Sequence, residues 1–419
     1  MKTDRILVSS ILALGLAVGP VAAQTTIDVL SINRDTASWK QLYLDMVETW
    51  NAENPEVQVN LEFMEDESFK QKLPTLLQSD AAPDLFFSWS GGVFYEQAEQ
   101  GFLKPIPDGK ISEWDGKLSA GGLAALSYDG KFYGAPEASQ NVALWYNKDL
   151  AAEVGVDPST IESYDDFLSQ VQAAKDAGVT PIIVGGQDKW PLHFYYSLIA
   201  MRIMGQEGMA ASAAGENGGF DNADWVRAGE EYLRLIALEP FQNGFMAVKY
   251  DGATGLWGDG KGLFHLMGDW DLGAQRAAST SGGLSDAQLG VVPFPMIEGG
   301  RGKVTDTLGG ASGFVLTKNA PDEAVDFLAY FLGEAAQKRA ASEGIYIPTA
   351  PAAGSLVEDP ILQQFAAIGG GSTYHQLFLD QYFGSTLGGA INDVSAQMAT
   401  GDITAEEAAA LLEETRQFQ

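Results

Sequence analysis

The chain has 419 residues, 46% of them hydrophobic, so it can bury large cores and is not a disordered polymer. Its 25 Lys and Arg stand against 56 Asp and Glu, a formal charge of -31 that repels nucleic-acid phosphates and anionic lipid but says little about a neutral ligand. It has no cysteine, which excludes a disulfide scaffold, a thiol nucleophile, thiolate metal sites and a cysteine-linked lipid anchor.

Residues 1–23 read as a secretory signal peptide. Lys2 and Arg5 precede an apolar run, Ile6 to Val18, that is short for a membrane span, and Val21-Ala22-Ala23 offers a small-residue cleavage site. Gln24 is the expected mature start, and export without an anchor points to a Gram-negative periplasm. Residues 26–32 alternate as a strand, and Asn33-Arg34-Asp35 is a polar turn. From Thr36 the offsets of Trp39, Leu42, Tyr43, Met46, Val47 and Trp50 predict a helix with one apolar face, ended by Asn54-Pro55. Val57, Val59, Leu61 and Phe63 alternate as a second strand, and a helix is expected over 67–78 despite Pro74. Leu85-Phe86-Phe87 reads as a buried strand running into Ser88-Trp89-Ser90-Gly91-Gly92, with a helix over 93–99. This strand-helix order implies a largely parallel sheet.

Tyr133-Gly134-Ala135-Pro136 breaks the pattern, and a strand over 142–146 opens a second α/β region. Helices are expected near 164–176, 191–205 and 222–237, with strands at 263–267 and 289–295 and a glycine-rich strand at 308–316. Further helices fall at 321–332, 336–343, 359–367 and 403–416, and the Ala/Gly-rich stretch 210–219 reads as a loop.

The segment Gly260-Lys261-Gly262-Leu263-Phe264-His265-Leu266-Met267-Gly268-Asp269-Trp270 reads as a glycine turn, a short strand, and a glycine that halts it beside an acid and an indole. Strand ends of this kind bind ligands in open α/β sheets. An indole can cover the C–H face of a pyranose while the carboxylate takes its hydroxyls; a buried core Trp with a capping Asp is the equal alternative. Trp89 also ends a strand, and the small Ser90, Gly91 and Gly92 would let a ligand approach the backbone; a core Trp is the alternative. Trp190 opens a helix after a polar loop, His193 could face either the cleft or its own core, and Trp257 reads as core. Polar candidates at strand ends are Asn33, Glu65, Gln140, Asn141, Asp269 and Ser312, with the Gly309 and Gly310 backbone; each could equally be a turn or cap residue.

The set Ala82-Pro83-Asp84-Leu85-Phe86, Gly101-Phe102-Leu103, Tyr133-Gly134-Ala135-Pro136, Leu144-Trp145-Tyr146-Asn147-Lys148, Met267-Gly268-Asp269-Trp270, Gly309-Gly310-Ala311-Ser312 and Tyr346-Ile347-Pro348-Thr349 spans nearly all of the mature chain. In this order it resembles the extracellular solute-binding proteins of oligosaccharide ABC importers, family 1, the group of maltose-binding protein. The resemblance implies a two-lobed α/β periplasmic-binding-protein fold (type II), each lobe a mostly parallel sheet flanked by helices. It also implies hinge crossings near 137–141, 290–296 and 332–346. Lobe one would be 24–137 plus 296–332, and lobe two 138–295 plus 333–419. The family commonly stacks a sugar on the aromatic at Trp270. The expected partners are a neutral di- or oligosaccharide and the permease subunits of an importer, with no cofactor, no metal and a monomeric chain. The Ser88–Gly92 element looks like that of receptors for α-galactosides or xylo-oligosaccharides, and Tyr374 and Asp380 are candidates for the far end of the cleft.

Against an enzyme, His193, His265 and His375 share no metal-ligand spacing, and there is no Gly-x-Ser-x-Gly elbow and no phosphate-binding P-loop. Carboxylate pairs are expected by chance in so acidic a chain. An exported glycan-cleaving enzyme, or a binding protein for a polyamine or phosphate ester, remains open.

Overall fold

The computed structural model describes residues 24–33 and 36–418. The signal-peptide reading, and Arg34-Asp35 of the first turn, lie outside these residues.

The strands are β1 (Thr25–Ile32), β2 (Val57–Met64), β3 (Leu85–Trp89), a small hairpin of β4 (Ser127–Tyr128) and β5 (Lys131–Phe132), β6 (Gly134–Asn147), β7 (Phe264–Gly268), β8 (Leu289–Val292), β9 (Thr307–Leu316) and β10 (His375–Leu377). All but the hairpin join one sheet in the order β2-β1-β3-β9-β6-β7, with β10 on β9 and β8 on β6. Helices flank this sheet, making the fold α/β. The strand sense is mixed. β2-β1-β3 is parallel, as the alternating strands and helices there require. β9 is antiparallel to β3, and β6 is antiparallel to β7, β8 and β9. Helical crossovers enforce parallel pairing only between the strands they connect; β6 and β9 come from distant parts of the chain and have no such constraint.

The first helix runs Ala37–Glu53, capped by Thr36 and stopped at Asn54, with Trp39, Leu42, Tyr43 and Val47 buried as the three-four spacing requires. The Asp66–Leu76 helix keeps Pro74 within its last turn. β6 is much longer than the spacing suggested. It runs through Pro136 because the register against β9 shifts between Pro136 and Ala138. A proline has no N–H to lose at such an irregularity. The expected loop at 210–219 is instead helical up to Ala213. The Trp190–Ala213 helix breaks at Gly205, whose φ of 63° lets the 301–302 backbone pack against it, then resumes.

Two groups of contacts knit the body. Arg202, 1% exposed, donates to the carbonyls of Phe294 (3.2 and 2.9 Å) and Asp306 (2.9 Å), clamping residues 294–306 onto the Trp190–Ala213 helix. The Glu334–Ser342 helix instead sits with the first helix: Arg339 pairs with Asp45 at 2.6 Å, and Tyr346 lies 5.1 Å from Trp39. The Pro360–Gly370 helix returns to β6, with Phe365 packed 5.0 Å from Trp145. Trp257 is fully buried and stacks 5.5 Å from His265. Among the described residues no helix is long and apolar enough to cross a membrane.

Arg202→Met should cost about 2–5 kcal/mol in urea unfolding, because it strands several buried carbonyls at about 1–3 kcal/mol each. A loss below about 1 kcal/mol would show that the guanidinium does not organise the 294–306 segment.

Candidate functional site

A cleft opens between the β1–β3 end of the sheet and the helices that follow β6. One wall carries Asn33, Asp66, Lys70, Phe87 and Trp89; the other carries Trp190, Phe194, Tyr250, Trp270, Phe378 and Asp380; Gln140 forms the floor on β6.

Each indole is placed by its local chain. Trp89 ends β3 and is fixed edge-on by Phe87 at 4.8 Å and Phe69 at 6.0 Å. Trp190 starts its helix directly after Lys189, whose φ of 63° is rare for a residue with a Cβ. That turn sets the indole 5.0 Å from Tyr250 and 5.4 Å from Phe194. Trp270 follows β7 and packs 5.9 Å from Phe378. Its ring folds back over Gly268, where any Cβ would collide with it. The glycine of Met267-Gly268-Asp269-Trp270 thus makes room for the indole as well as ending the strand.

Polar groups lie among these rings. Lys70 Nζ is 2.9 Å from Asp66 and 3.0 Å from Glu67, and it sits 5.3 Å from the Trp89 ring and 5.9 Å from the Trp190 ring. Burial alone would lower its ammonium, but Asp66, Glu67 and Asp380 outweigh that and hold it above its ordinary range. Asp380 enters from the Leu379–Tyr382 turn of helix. Its Oδ1 lies 3.3 Å from His193 Nε2, while His193 Nδ1 meets Ser197 Oγ at 3.0 Å. Burial pushes the Asp380 carboxyl up, yet His193 and Lys70 prevail and hold it at about 2. At the mouth, Glu65 caps the Asp66–Leu76 helix and pairs at 3.2 Å with Lys249 from the opposite wall.

Of the residues singled out from the sequence, Trp89, Trp190, Trp270, Gln140 and Asn33 line the cleft, and so does Asp380. The others do not. Asp269 turns inward, 3% exposed, and its Oδ1 accepts from the Asn141 N–H at 3.1 Å. Asn141 is itself buried against Gly369. His193 faces its own core behind Asp380. Ser312 is fully buried in β9, and Gly310 meets the Phe378 ring. Glu65 is a cap at the mouth, and Tyr374 bonds Gln376 away from the lining. Ser90 is buried with its N–H on the Ala311 carbonyl at 3.2 Å. Gly91 and Gly92 are small for another reason: a Cβ on Gly92 would stand 2.5 Å from Gly384 N and 2.6 Å from Tyr382 O. Backbone from the opposite wall, not a ligand, approaches there. Glu96 reinforces the contact by accepting from Ser385 N at 3.0 Å and Ser385 Oγ at 2.8 Å.

Sequence reasoning missed Asp66, Lys70, Phe194, Tyr250 and Phe378. Asp66 and Lys70 stand at i,i+4 like many surface pairs, and the three rings carry no local signal that separates a cleft position from a core one. Among the described residues no group of three or more His, Cys, Asp or Glu is placed to hold a metal ion.

Burial raises Asp269 to about 7, against the bonds from the Asn141, Asp269 and Trp270 N–H groups. An acid raised in this way favours the fold below its unfolded value and loses that contribution as pH climbs through about 7. Asp269→Asn should therefore melt above wild type at pH 8, with the gap narrowing as pH falls and closing only below about pH 4. A gap independent of pH would contradict this assignment.

Residues 34–338, more than half of the chain, match the family of bacterial extracellular solute-binding proteins. An ABC transporter extracellular-binding protein of Pyrococcus horikoshii is 25% identical over 54% of this chain and 51% of its own length. A multiple sugar-binding protein of Streptococcus mutans is 22% identical over 61% of this chain and 60% of its own. The chain thus aligns with only about half of the curated relatives' length. A solved structure from work on xylan utilisation by Caldanaerobius polysaccharolyticus superposes with a TM-score of 0.86 at 25% identity, covering 93% of this chain and 99% of that one. The fold is accordingly the two-lobed, maltose-binding-protein-like α/β fold. The chain belongs to the bacterial extracellular solute-binding protein family.

Proposed function

We propose that this protein is the receptor of an ABC sugar importer. It captures a neutral di- or oligosaccharide between its lobes, closes on it, and presents it to the membrane permease. It acts as a monomer in the periplasm after loss of residues 1–23. One observation carries this reading: Trp89 from one wall and Trp190 and Trp270 from the other share a single cleft with hydrogen-bonding side chains between them. Indole faces cover the C–H faces of pyranose rings, and amides and carboxylates take the hydroxyls. A ligand touching both walls favours the closed state by its differential contacts.

The packing suggests lobe boundaries later than those read from the sequence. Because Arg202 clamps residues 294–306 to the Trp190–Ala213 helix, we read the second crossing as lying in β9 instead of 290–296. Because the Glu334–Ser342 helix packs on the first helix, we read the third crossing at about residues 350–357 instead of 332–346. We keep the first crossing within β6 at 137–141.

Glycan cleavage is the second reading, since Asp66 and Asp380 both face the cleft. A general acid must hold its proton near neutral pH. Asp380 is held at about 2; burial raises Glu67, Asp188 and Asp269, but none of the three lines the cleft. A polyamine site is disfavoured because Lys70 already supplies an ammonium to Asp66, Glu67 and Asp380. A phosphate ester would want cations in excess, and the acids here outnumber the single lysine.

A thermal-shift panel of neutral oligosaccharides, headed by xylo-oligosaccharides, tests the reading. A sugar at about 100 times its dissociation constant adds about 2.7 kcal/mol of stability. Binding without release of shorter products is expected; turnover would favour the enzyme. Trp270→Ala and Trp89→Ala should each weaken that sugar at least about tenfold, and unchanged affinity would remove the residue from the site. Gly92→Val should block the backbone contact between the walls. With sugar added, its radius of gyration in X-ray scattering should stay above that of the wild type, and equal contraction would show that this contact does not limit closure.

A further inference from the structure

Behind the Trp190 wall lies a fully buried acid that does not face the cleft. Asp271 opens the Asp271–Ala278 helix, directly after Trp270. An aspartate is almost never buried so completely unless it is paired. Its Oδ1 accepts from the Tyr250 hydroxyl at 3.1 Å and from Thr254 Oγ1 at 2.8 Å. Its Oδ2 makes no hydrogen bond among the described residues, but it faces His265 Nε2, equally unpartnered, at 3.5 Å. His265 is itself buried, and its Nδ1 stands 2.8 Å from the Ile183 carbonyl. A carbonyl only accepts, so Nδ1 carries a proton. With no second ring proton, Nε2 would aim a lone pair at the carboxylate. A proton between Nε2 and Oδ2 turns that repulsion into attraction, and the Trp257 indole stacked 5.5 Å from the imidazole suits a cationic ring.

Tyr250 joins this pair to the cleft. It is the first residue of the Tyr250–Gly258 helix, it lines the cleft, and it is held at both ends. Asp188 Oδ2 accepts from its N–H at 2.7 Å, and Asp271 accepts from its hydroxyl. Trp190 leans on its ring at 5.0 Å, and the Trp190 N–H donates to the Asp188 carbonyl at 2.7 Å. The backbone turn alone would leave the indole free to rotate about its side-chain bonds; a fixed phenol behind it removes that freedom.

We propose that Asp271, paired through one proton with His265, is a positioning residue of this receptor: it locks Tyr250, and through Tyr250 it holds the Trp190 ring in place before any ligand arrives. The inference rests on the sugar-receptor reading above for what the ring receives, but not for the lock itself. A ring already fixed loses less side-chain freedom on binding, so the lock raises affinity although Asp271 touches no ligand. An asparagine at 271 can still accept from Tyr250 with its carbonyl and can donate its amide N–H to Nε2. The lock should therefore survive Asp271→Asn while the second ring proton of His265 is lost. A leucine at 271 offers neither group and should release the phenol.

The test uses the mature protein labelled with 5-fluorotryptophan, in which Trp190→Phe identifies the Trp190 fluorine line. Without ligand that line should be single and sharp in the wild type, broadened or split in Tyr250→Phe and Asp271→Leu, and sharp again in Asp271→Asn. Nitrogen NMR of the His265 imidazole should show both ring nitrogens protonated in the wild type and only one in Asp271→Asn. Titration with xylotriose, maltotriose and raffinose reads the consequence. The tightest of the three should weaken at least about tenfold in Asp271→Leu and about fivefold in Tyr250→Phe, yet Tyr250→Phe should add less than about twofold once Asp271 is leucine. A phenol in direct contact with the sugar would cost the same in both backgrounds and would overturn the proposal. So would an unchanged Trp190 line in Tyr250→Phe, a variant that keeps the ring and therefore the test even where Asp271→Leu does not fold, or a wild-type His265 with a single ring proton. A Trp190 line that responds as described while no neutral oligosaccharide binds supports the lock and overturns the sugar-receptor reading.

Discussion

The antiparallel pairing of β6 with β9 is the constraint on which the other features of this molecule depend. The two strands run side by side from Gly134 to Val142, and the register shift at Pro136 and Ala138 lets one continuous pairing pass from the β3 side of the sheet to the β7 side. The cleft floor is this pairing seen from above, which is why Gln140 faces a ligand-sized space while its neighbour Asn141 is buried. It also explains the glycines at 309 and 310. A Cβ at Gly309 would run into the Gln140 carbonyl, and one at Gly310 would meet Phe378 at 2.8 Å. These residues are small because strands and rings crowd them.

Electrostatics in the cleft follow from local pairing and not from the net charge. The chain carries -31 overall, yet the cleft centres on a lysine. Asp66 and Glu67 hold that lysine from its own helix at low entropic cost, since residues three and four apart already share a face. Asp380 is kept ionised by His193 behind it and by Lys70 in front. Each charge in the site thus has a built-in counter-charge, so that none is left uncompensated by burial.

The walls meet where side chains are absent. Gly91 and Gly92 receive the backbone of residues 381–384, Glu96 accepts from Ser385, and Lys249 reaches Glu65 across the mouth. These are short-range contacts between the two walls at the rim of the cleft.

Much of the architecture was legible in the sequence. The periodicity of Trp39 through Trp50, the alternation of Val57 through Phe63, and the apolar run into Trp89 each specify an element, because helix and strand geometry repeat over a few residues and impose that repeat on composition. Trp89, Trp190 and Trp270 could be singled out because a large ring at an element's end is seldom needed for local structure. Other assignments depended on approach from far away. Whether Asp269 or its neighbour faces the cleft turns on the Asn141 N–H, 128 residues distant, and whether Gly92 leaves open space or meets a backbone turns on Gly384. Lys70 looks like any surface lysine until Trp190 is brought beside it. Local propensity determined the elements and their apolar faces; only the tertiary structure decided which polar groups open onto the cleft, because burial and counter-charge come from chain segments that sequence spacing does not connect.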